Sequence, residues 1–269
     1  MTRAPGFSVV LMLAVCVVHA APNSAQRVRA FARLPNWTGL WETAISKELT
    51  TPGGRSSTPG TLKLTGHPPY NPEWELKYQA ALDNPAVKSA VAETLKGCGN
   101  DSPAYVRSFP NIMEAPMVFQ VVVTPEETLF VMDHGEVRHI YTDRRAHPVG
   151  DDLWPTPLGD SVGHWAGQTL VIDTVARTAG PISMFSPAAE LGEQAHFIER
   201  VHQIDGNTLE DQVTIDDPTR LVHPWIVTLR FTRVLDLARF IPYECEADRN
   251  PLENGKLIIA PPVSPPASP

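Results

Sequence analysis

Residues 118–142 read VFQVVVTPEETLFVMDHGEVRHIYT, and this stretch decides the fold class. It contains three runs rich in β-branched and aromatic residues, VFQVVVT, TLFVMD and VRHIYT. The two connections, PEE and HGE, are short and contain turn-forming residues. Such runs, joined by short turns, are typical of antiparallel strands in hairpins. The stretch therefore predicts a β-meander.

More segments with strand-like alternation follow the meander. They are residues 169–176, 195–204, 208–215, 225–234 and 239–246. With the three meander strands this makes eight predicted strands, mostly joined by hairpins. Eight antiparallel strands in sequence favour an up-and-down, lipocalin-like eight-stranded β-barrel, whose interior can hold one small ligand. A β-sandwich is the alternative.

One part of the chain has a helical pattern. Asn71 is a candidate N-cap, and Pro72 would then stand in the first turn of a helix. We expect a helical insertion near residues 71–97 of a mainly β protein. The insertion belongs to a single lipocalin-like domain at residues 21–250, and residues 251–269 form a proline-rich, disordered tail.

The composition narrows the class of protein further. The chain has 27 proline residues among 269, about twice the usual share of roughly 5%. Because proline interrupts helix interiors, a bundle of long helices or a coiled coil is excluded. The 22 basic residues are outnumbered by 30 acidic ones, for a net charge of −8. That balance argues against nucleic acid as a partner.

The first 20 residues resemble a secretory signal peptide. Arg3 precedes an apolar run at residues 7–18, and small residues follow near Ala20. The run is shorter than the roughly 20 residues that a membrane span needs. We expect a periplasmic or secreted protein that does not bind a membrane after cleavage at residue 20. An uncleaved anchor is the alternative.

Two cysteines would remain after that cleavage. Cys16 leaves with the predicted signal peptide, and Cys98 and Cys245 stay. An even number of cysteines in an exported protein favours a disulfide. Two free buried thiols are the alternative.

Several short motifs follow one another in the C-terminal half. They are HIYTDRRAHP at 139–148, SVGHWAGQTLVIDT at 161–174, HFIER at 196–200, DDP at 216–218, PW at 224–225 and YECE at 243–246. As a set, they resemble a largely uncharacterised family of exported, periplasmic proteins of environmental bacteria with lipocalin-like (calycin) β-barrels. The resemblance covers roughly residues 110–250. It implies a fold and a compartment rather than a reaction.

The chain departs from this family at one turn. Where the family pattern has Asp-Gly-Arg, this sequence has Asp143, Arg144 and Arg145. The geometry of that turn is therefore open. More distantly, and without a matching motif, the chain is similar to cofactor-free lyases of bacteria that degrade lignin-derived aromatic dimers.

Most well-known catalytic motifs are absent from the sequence. It has no GxGxxG, Walker, HExxH or CxxC motif, which argues against nucleotide and thiol-redox chemistry. No spacing of histidines and acids supports a metal site. His196 and His202, for instance, would lie about 20 Å apart along a strand.

Strand alternation points to two candidate acids. Asp173 stands between two valines on one face of its predicted strand, and Glu199 stands between Phe197 and Val201 on a face of another. If both faces line the barrel, carboxylates in this apolar interior would suit general acid–base chemistry. The alternative is that these acids pair with arginines (Arg138, Arg200 or Arg230) or face solvent.

His147 follows a strand, where a loop at the barrel mouth is expected. We expect His147, Asp173 and Glu199 to share proton transfers, with Arg138 or Tyr243 as hydrogen-bond donor to a developing oxyanion. A solvated loop histidine is the alternative for His147. Substrate contacts are predicted for Arg138, Tyr141, Trp154, His196, Trp225 and Tyr243.

Three functions remain compatible with these patterns. The first is a cofactor-independent lyase or isomerase that acts by acid–base chemistry on a small hydrophobic or aromatic molecule in the barrel. The second is a non-catalytic, lipocalin-type binder of a hydrophobic ligand, which would release its ligand intact. The third is an interaction protein whose barrel is filled by side chains. The sequence leaves open whether the chain forms a homo-oligomer.

Overall fold

The computed structural model describes residues 24–43, 67–87, 108–114, 118–133, 135–183, 188–235, 237, 239–240, 252–253 and 256–257. The chain divides into two compact units, Met1–Arg33 and Leu34–Pro269. In the first unit, helix α1 (Ser24–Phe31) buries none of its side chains. The second unit contains the other elements.

Nine strands of the second unit form a closed β-barrel. They are β1 (Leu40–Thr43), β2 (Val118–Val123), β3 (Glu127–Met132), β4 (Val137–Tyr141), β5 (Asp160–Ala166), β6 (Thr169–Val175), β9 (His196–Asp205), β10 (Thr208–Asp216) and β11 (Trp225–Val234). Between β6 and β9 in the chain, β7 (Gly180–Pro181) and β8 (Glu190–Leu191) form a separate two-stranded sheet. Around the barrel the order is β1-β11-β10-β9-β6-β5-β4-β3-β2, and β2 pairs with β1 again. A separate pair joins β12 (Leu252–Glu253) and β13 (Lys256–Leu257).

Strands β4 and β5 meet in a way that differs from every other neighbouring pair in the barrel. They are parallel, and a single residue pair, Tyr141 opposite Val162, joins them. The other neighbours are antiparallel and share between three and nine residue pairs. We call the β4–β5 contact the seam.

The predicted mainly β barrel is confirmed, but the prediction of eight antiparallel strands is wrong. The barrel has nine strands with mixed pairing. Strand β5 begins inside residues 147–162, a segment whose glycines and prolines predict a loop, and the short β1 joins β11 to β2 from far away in the sequence. The last predicted strand is not borne out at residues 239–240, and residues 241–246 lie outside the described part of the chain.

Apolar side chains make up most of the described barrel interior. On β10, Leu209, Val213 and Ile215 are each 0% exposed, because they share the inward face of the strand. Aromatic rings from several strands meet there, and Phe119 contacts Phe231 edge to face at a centroid distance of 5.0 Å. These contacts make the barrel wall and the core one hydrophobic cluster.

Helix α2 (Pro72–Asp83) confirms the start of the predicted helical insertion. The side chain of Asn71 accepts a hydrogen bond from the backbone N–H of Trp74 at 3.0 Å, and Pro72 stands at the start of the helix. Both features stabilise a helix start. The Arg220 guanidinium lies 3.7 Å from the centre of the Trp74 ring, so α2 rests on the turn that precedes β11. Residues 88–97 lie outside the described residues.

Residues 108–113 form a buried segment that we call the interior segment; its last residues begin the short helix α3 (Asn111–Glu114). The ring of Phe109 lies 3.8 Å from the guanidinium of Arg138 and 5.0 Å from the ring of Phe197. Because both partners are buried barrel residues, the interior segment is part of the core.

The turn after β4 contains a residue in an unfavourable backbone conformation. Arg144 has φ +73°. This left-handed conformation costs about 1–2 kcal/mol for a residue with a Cβ atom, and glycine avoids that cost. Part of this gain in stability is lost again, because glycine loses more conformational entropy on folding, at a cost of about 0.5–1 kcal/mol. We expect Arg144→Gly to raise the free energy of unfolding by about 0.5–1 kcal/mol, measured by urea denaturation.

Arg145→Gly is the matched control for this substitution. Arg145 is not among the residues with positive φ, and its guanidinium bonds Asp143 at 2.7 Å and covers the Tyr141 ring at 3.9 Å. We expect the control to lower stability or leave it unchanged. A gain of equal size in both variants would contradict the argument from backbone strain.

Candidate functional site

Strand β6 turns Asp173 to the outside of the barrel. The buried residues of this strand are Leu170, Ile172 and Thr174, whereas the Asp173 side chain is 42% exposed. The prediction that Asp173 lines the interior is therefore wrong. Both faces of β6 carry aliphatic residues, so alternation alone does not distinguish them. The inward face includes Thr174 because its hydroxyl finds partners inside the barrel.

On the outer face, Asp173 takes part in a group of four side chains that we call the His–Asp network: His147, Asp160, Asp173 and His196. One oxygen of Asp173, Oδ1, lies 2.7 Å from Nε2 of His196 and 3.3 Å from Nε2 of His147. The other ring nitrogen of His147, Nδ1, lies 2.5 Å from Oδ1 of Asp160. The four side chains thus form one continuous hydrogen-bonded chain.

Neighbouring elements bring these four residues together. Asp160 starts β5, Asp173 lies near the end of β6 and His196 starts β9. Because β6 pairs with both β5 and β9, the three strand residues meet at one end of the barrel. His147 arrives from the segment after β4.

The segment between His147 and Asp160 is tied down at its base. The backbone N–H of Thr156 donates to the carbonyl of Ala176 at 2.9 Å. At Gly159, φ is +71° and an added Cβ would lie 2.6 Å from the carbonyl oxygen of Val175, so only glycine fits there. These constraints fix where β5 begins and therefore where Asp160 lies.

The His–Asp network is accessible from solvent. The side chains of His147 and Asp160 are 20% and 25% exposed, and that of His196 is 43% exposed. Asp216, on β10, lies directly across from His196. On either side of Asp173, Val162 and Ile198 are its cross-strand partners on the outer face. The network is thus a polar group between two aliphatic side chains.

Glu199 lies inside the barrel, as the alternation of β9 predicts, and it pairs with Arg138. The Arg138 guanidinium donates to both carboxylate oxygens of Glu199, one of them at 2.8 Å. It also donates to Thr174 Oγ1 at 3.0 Å and to Ser161 Oγ at 3.3 Å. Glu199 and Arg138 are 0% and 1% exposed. This is the arginine pairing that the sequence left open as an alternative to catalysis.

The predicted convergence of His147, Asp173 and Glu199 around one cavity does not occur. Ile172 pairs with Glu199 on the inward face, whereas Asp173 pairs with Ile198 on the outward face. The barrel wall therefore separates Glu199 from the two other residues. His147 and Asp173 do meet, and His196 joins them.

The other predicted substrate contacts are dispersed. Tyr141 lies on the outer face of β4 beside Arg145, and Trp154 is 66% exposed on the segment after His147. Trp225 starts β11 and is partly buried. Tyr243 and the cysteines of the predicted disulfide, Cys98 and Cys245, lie outside the described residues.

The structure adds polar residues that the sequence did not single out. Sequence reasoning missed Asp160 because it falls in residues 147–162, whose prolines and glycines predict a loop. Asp211 had a visible signal, since it stands between Leu209 and Val213 on one strand face in the same way as Glu199 between its apolar neighbours. It is 1% exposed, inside the barrel.

Within the described ranges, no group of three or more histidine, cysteine, aspartate or glutamate side chains is arranged to hold a metal ion. Among those same residues, no helix combines the length and the apolar character that a membrane crossing would need. No protein-family model matches the chain, and no curated protein matches it either. The functional argument therefore depends on the geometry of the site.

Proposed function

We propose that the protein is a lyase or isomerase that works by acid–base chemistry without an organic cofactor, and that its active site is the His–Asp network on the outer face of the barrel. The observation that carries the proposal is the contact of one Asp173 oxygen with two partly exposed histidines. A carboxylate that orients an imidazole is a recurring arrangement for proton transfer.

His196 is the general base in this proposal. Its Nε2–H donates to Asp173, so a neutral His196 has the lone pair on Nδ1. With 43% of its side chain exposed, His196 can reach a substrate in solvent. The Nδ1 atom would accept a proton from a carbon atom of the substrate. In an isomerase it would return this proton to another atom of the substrate, and in a lyase it would return it after a bond in the substrate has broken.

Asp173, His147 and Asp160 are positioning residues in this scheme. Both ring nitrogens of His147 face carboxylate oxygens, so His147 can donate to both only as an imidazolium ion. A positive charge on His147 would offset the negative charges of Asp173 and Asp160. Asp173 in turn fixes the tautomer and ring orientation of His196.

The proposed substrate is a small apolar, preferably aromatic molecule. Val162 and Ile198 flank Asp173 on the outer face, and Trp154 exposes 66% of its surface on the segment that begins at His147. Placement of the reaction outside the barrel differs from the sequence-based expectation of a ligand within it. It is favoured because the described interior is filled by side chains, of which Trp41 and Phe231 are 0% exposed.

The test is a conversion assay with the full chain on a panel of lignin-derived aromatic dimers, with product detection by mass spectrometry. We expect His196→Gln to lower kcat/KM at least about 10²-fold, the usual range for loss of a general base. Asp173→Asn should lower it as well, because His196 then loses the carboxylate that sets its tautomer and ring orientation.

His202→Gln is the matched control for the assay. His202 lies six residues further along β9 on the same outer face and faces Glu210 at 3.9 Å rather than the network. Its variant should keep the wild-type rate. Equal rates in the His196 and His202 variants would refute the proposed base. Recovery of every bound compound unchanged would favour the non-catalytic binder.

A further inference from the structure

Two carboxyl groups lie next to each other inside the barrel. On the paired strands β9 and β10, Val213 lies opposite Glu199 and Asp211 lies opposite Val201. Glu199 and Asp211 are therefore diagonal neighbours on the inward face of the sheet. They are 0% and 1% exposed, so neither is hydrated from outside.

Arg138 is the cation that acts on both acids, but its hydrogen bonds to carboxylate go to Glu199. Arg138 donates to the two oxygens of Glu199 and to the hydroxyls of Ser161 and Thr174. In the described structure, neither oxygen of Asp211 has a partner at ordinary hydrogen-bond distance and angle.

The other side chains next to Asp211 on the sheet are apolar. Across the sheet it faces Leu229 on β11 and Val201 on β9. On its own strand, Leu209 and Val213 share its face. The charged groups that act on it are thus Glu199 and Arg138. An ionised carboxylate without a partner is not tolerated in such a place and takes up a proton instead.

We propose that the barrel interior is a proton-binding site, in which Asp211 carries a proton that it shares with Glu199. The pair then holds one negative charge opposite the single positive charge of Arg138. In agreement, burial raises the pKa of Asp211 well above its usual range, and the neighbouring Glu199 carboxylate raises it further. The site lies on the opposite side of the barrel wall from the His–Asp network and does not depend on the proposed reaction.

Proton binding by the fold has a definite pH signature. An aspartate in the unfolded chain loses its proton near pH 3.9, whereas Asp211 in the folded barrel keeps it to higher pH. The stabilising contribution of this proton is therefore complete below about pH 3.9 and is lost as pH rises towards the pKa of the folded state. Over that window, the folding equilibrium constant falls about tenfold per pH unit through this group alone.

The experiment compares urea denaturation of wild type and Asp211→Asn over a series of pH values. Asparagine has the shape of a protonated aspartate and cannot ionise. We expect wild type and variant to have similar stabilities near pH 4. Above pH 4, the ratio of the variant's folding constant to that of wild type should rise about tenfold per pH unit. Asp83→Asn makes the same change at an exposed position at the end of α2 and should show no such gain.

A second measurement keeps the proposal testable if the variant does not fold. Infrared difference spectroscopy of the wild-type protein at neutral pH should show the C=O band of a buried protonated carboxyl group, insensitive to added salt. Absence of this band would overturn the proposal. Parallel pH curves for wild type and a folded Asp211→Asn variant would overturn it as well.

Discussion

We expect Arg138→Met to lower the free energy of unfolding by about 3–5 kcal/mol, the usual cost of removing one partner from a buried ion pair. Methionine fills much of the volume of the arginine stem but cannot offset the charge of Glu199. Glu199 is 0% exposed, so water cannot replace the guanidinium. The ring of Phe109, which lies over that guanidinium at 3.8 Å, loses its cation as well. Urea denaturation at neutral pH measures the loss.

The double variant Arg138→Met/Glu199→Gln separates the charge effect from a loss of packing. Because it removes both charges, it should recover a large part of the stability that the single variant loses. The hydroxyls of Ser161 and Thr174 bond each other at 2.8 Å, so each would keep a partner in either variant. A double variant no more stable than Arg138→Met would show that the loss comes from packing and not from the uncompensated carboxylate.

Arg177→Met should lower the free energy of unfolding by about 3–4 kcal/mol. Arg177 is 1% exposed and donates to three backbone carbonyls: Phe109 at 2.6 Å, Gly180 at 3.2 Å and Pro181. Burial lowers its pKa to about 10, so the side chain is still a cation at neutral pH. Each carbonyl left without a donor costs about 1–3 kcal/mol.

The interior segment reports on this substitution directly. Arg177 holds the segment through Phe109, so amide hydrogens there, such as that of Ile112, should exchange faster in the variant. Arg230→Met is the control, since Arg230 is 38% exposed and pairs with Glu210 on the outer face. We expect the control to lose less than about 1 kcal/mol. Losses of equal size in the two variants would contradict a special role for the buried arginine.

The sequence was sufficient where local signals agree. The β-meander and the capped start of α2 follow from alternation and turn chemistry, and the structure has both. The inward position of Glu199 was predictable because its face of β9 is apolar, whereas the other face carries His196, Arg200 and His202.

The sequence was insufficient where the outcome depends on distant partners. Strand β6 has aliphatic residues on both faces, and only the hydroxyl contacts of Thr174 with Ser161 and Arg138 decide which face is buried. Strand β5 has no strong alternation of apolar and polar residues. It pairs in parallel with β4, and no hairpin signal in the sequence predicts such a pairing. The His–Asp network joins β5, β6 and β9, so its four members could not be assembled before those pairings were known.

The seam also shows how the barrel is constructed. With the seam left out, the remaining eight pairings are all antiparallel and connect the strands in the linear order β5, β6, β9, β10, β11, β1, β2, β3, β4. The barrel is therefore one antiparallel ribbon, rolled until its two edge strands touch at Tyr141 and Val162. Because a single residue pair closes the barrel there, we expect β4 and β5 to be the edges at which the wall opens first and at which strand exchange between molecules would begin.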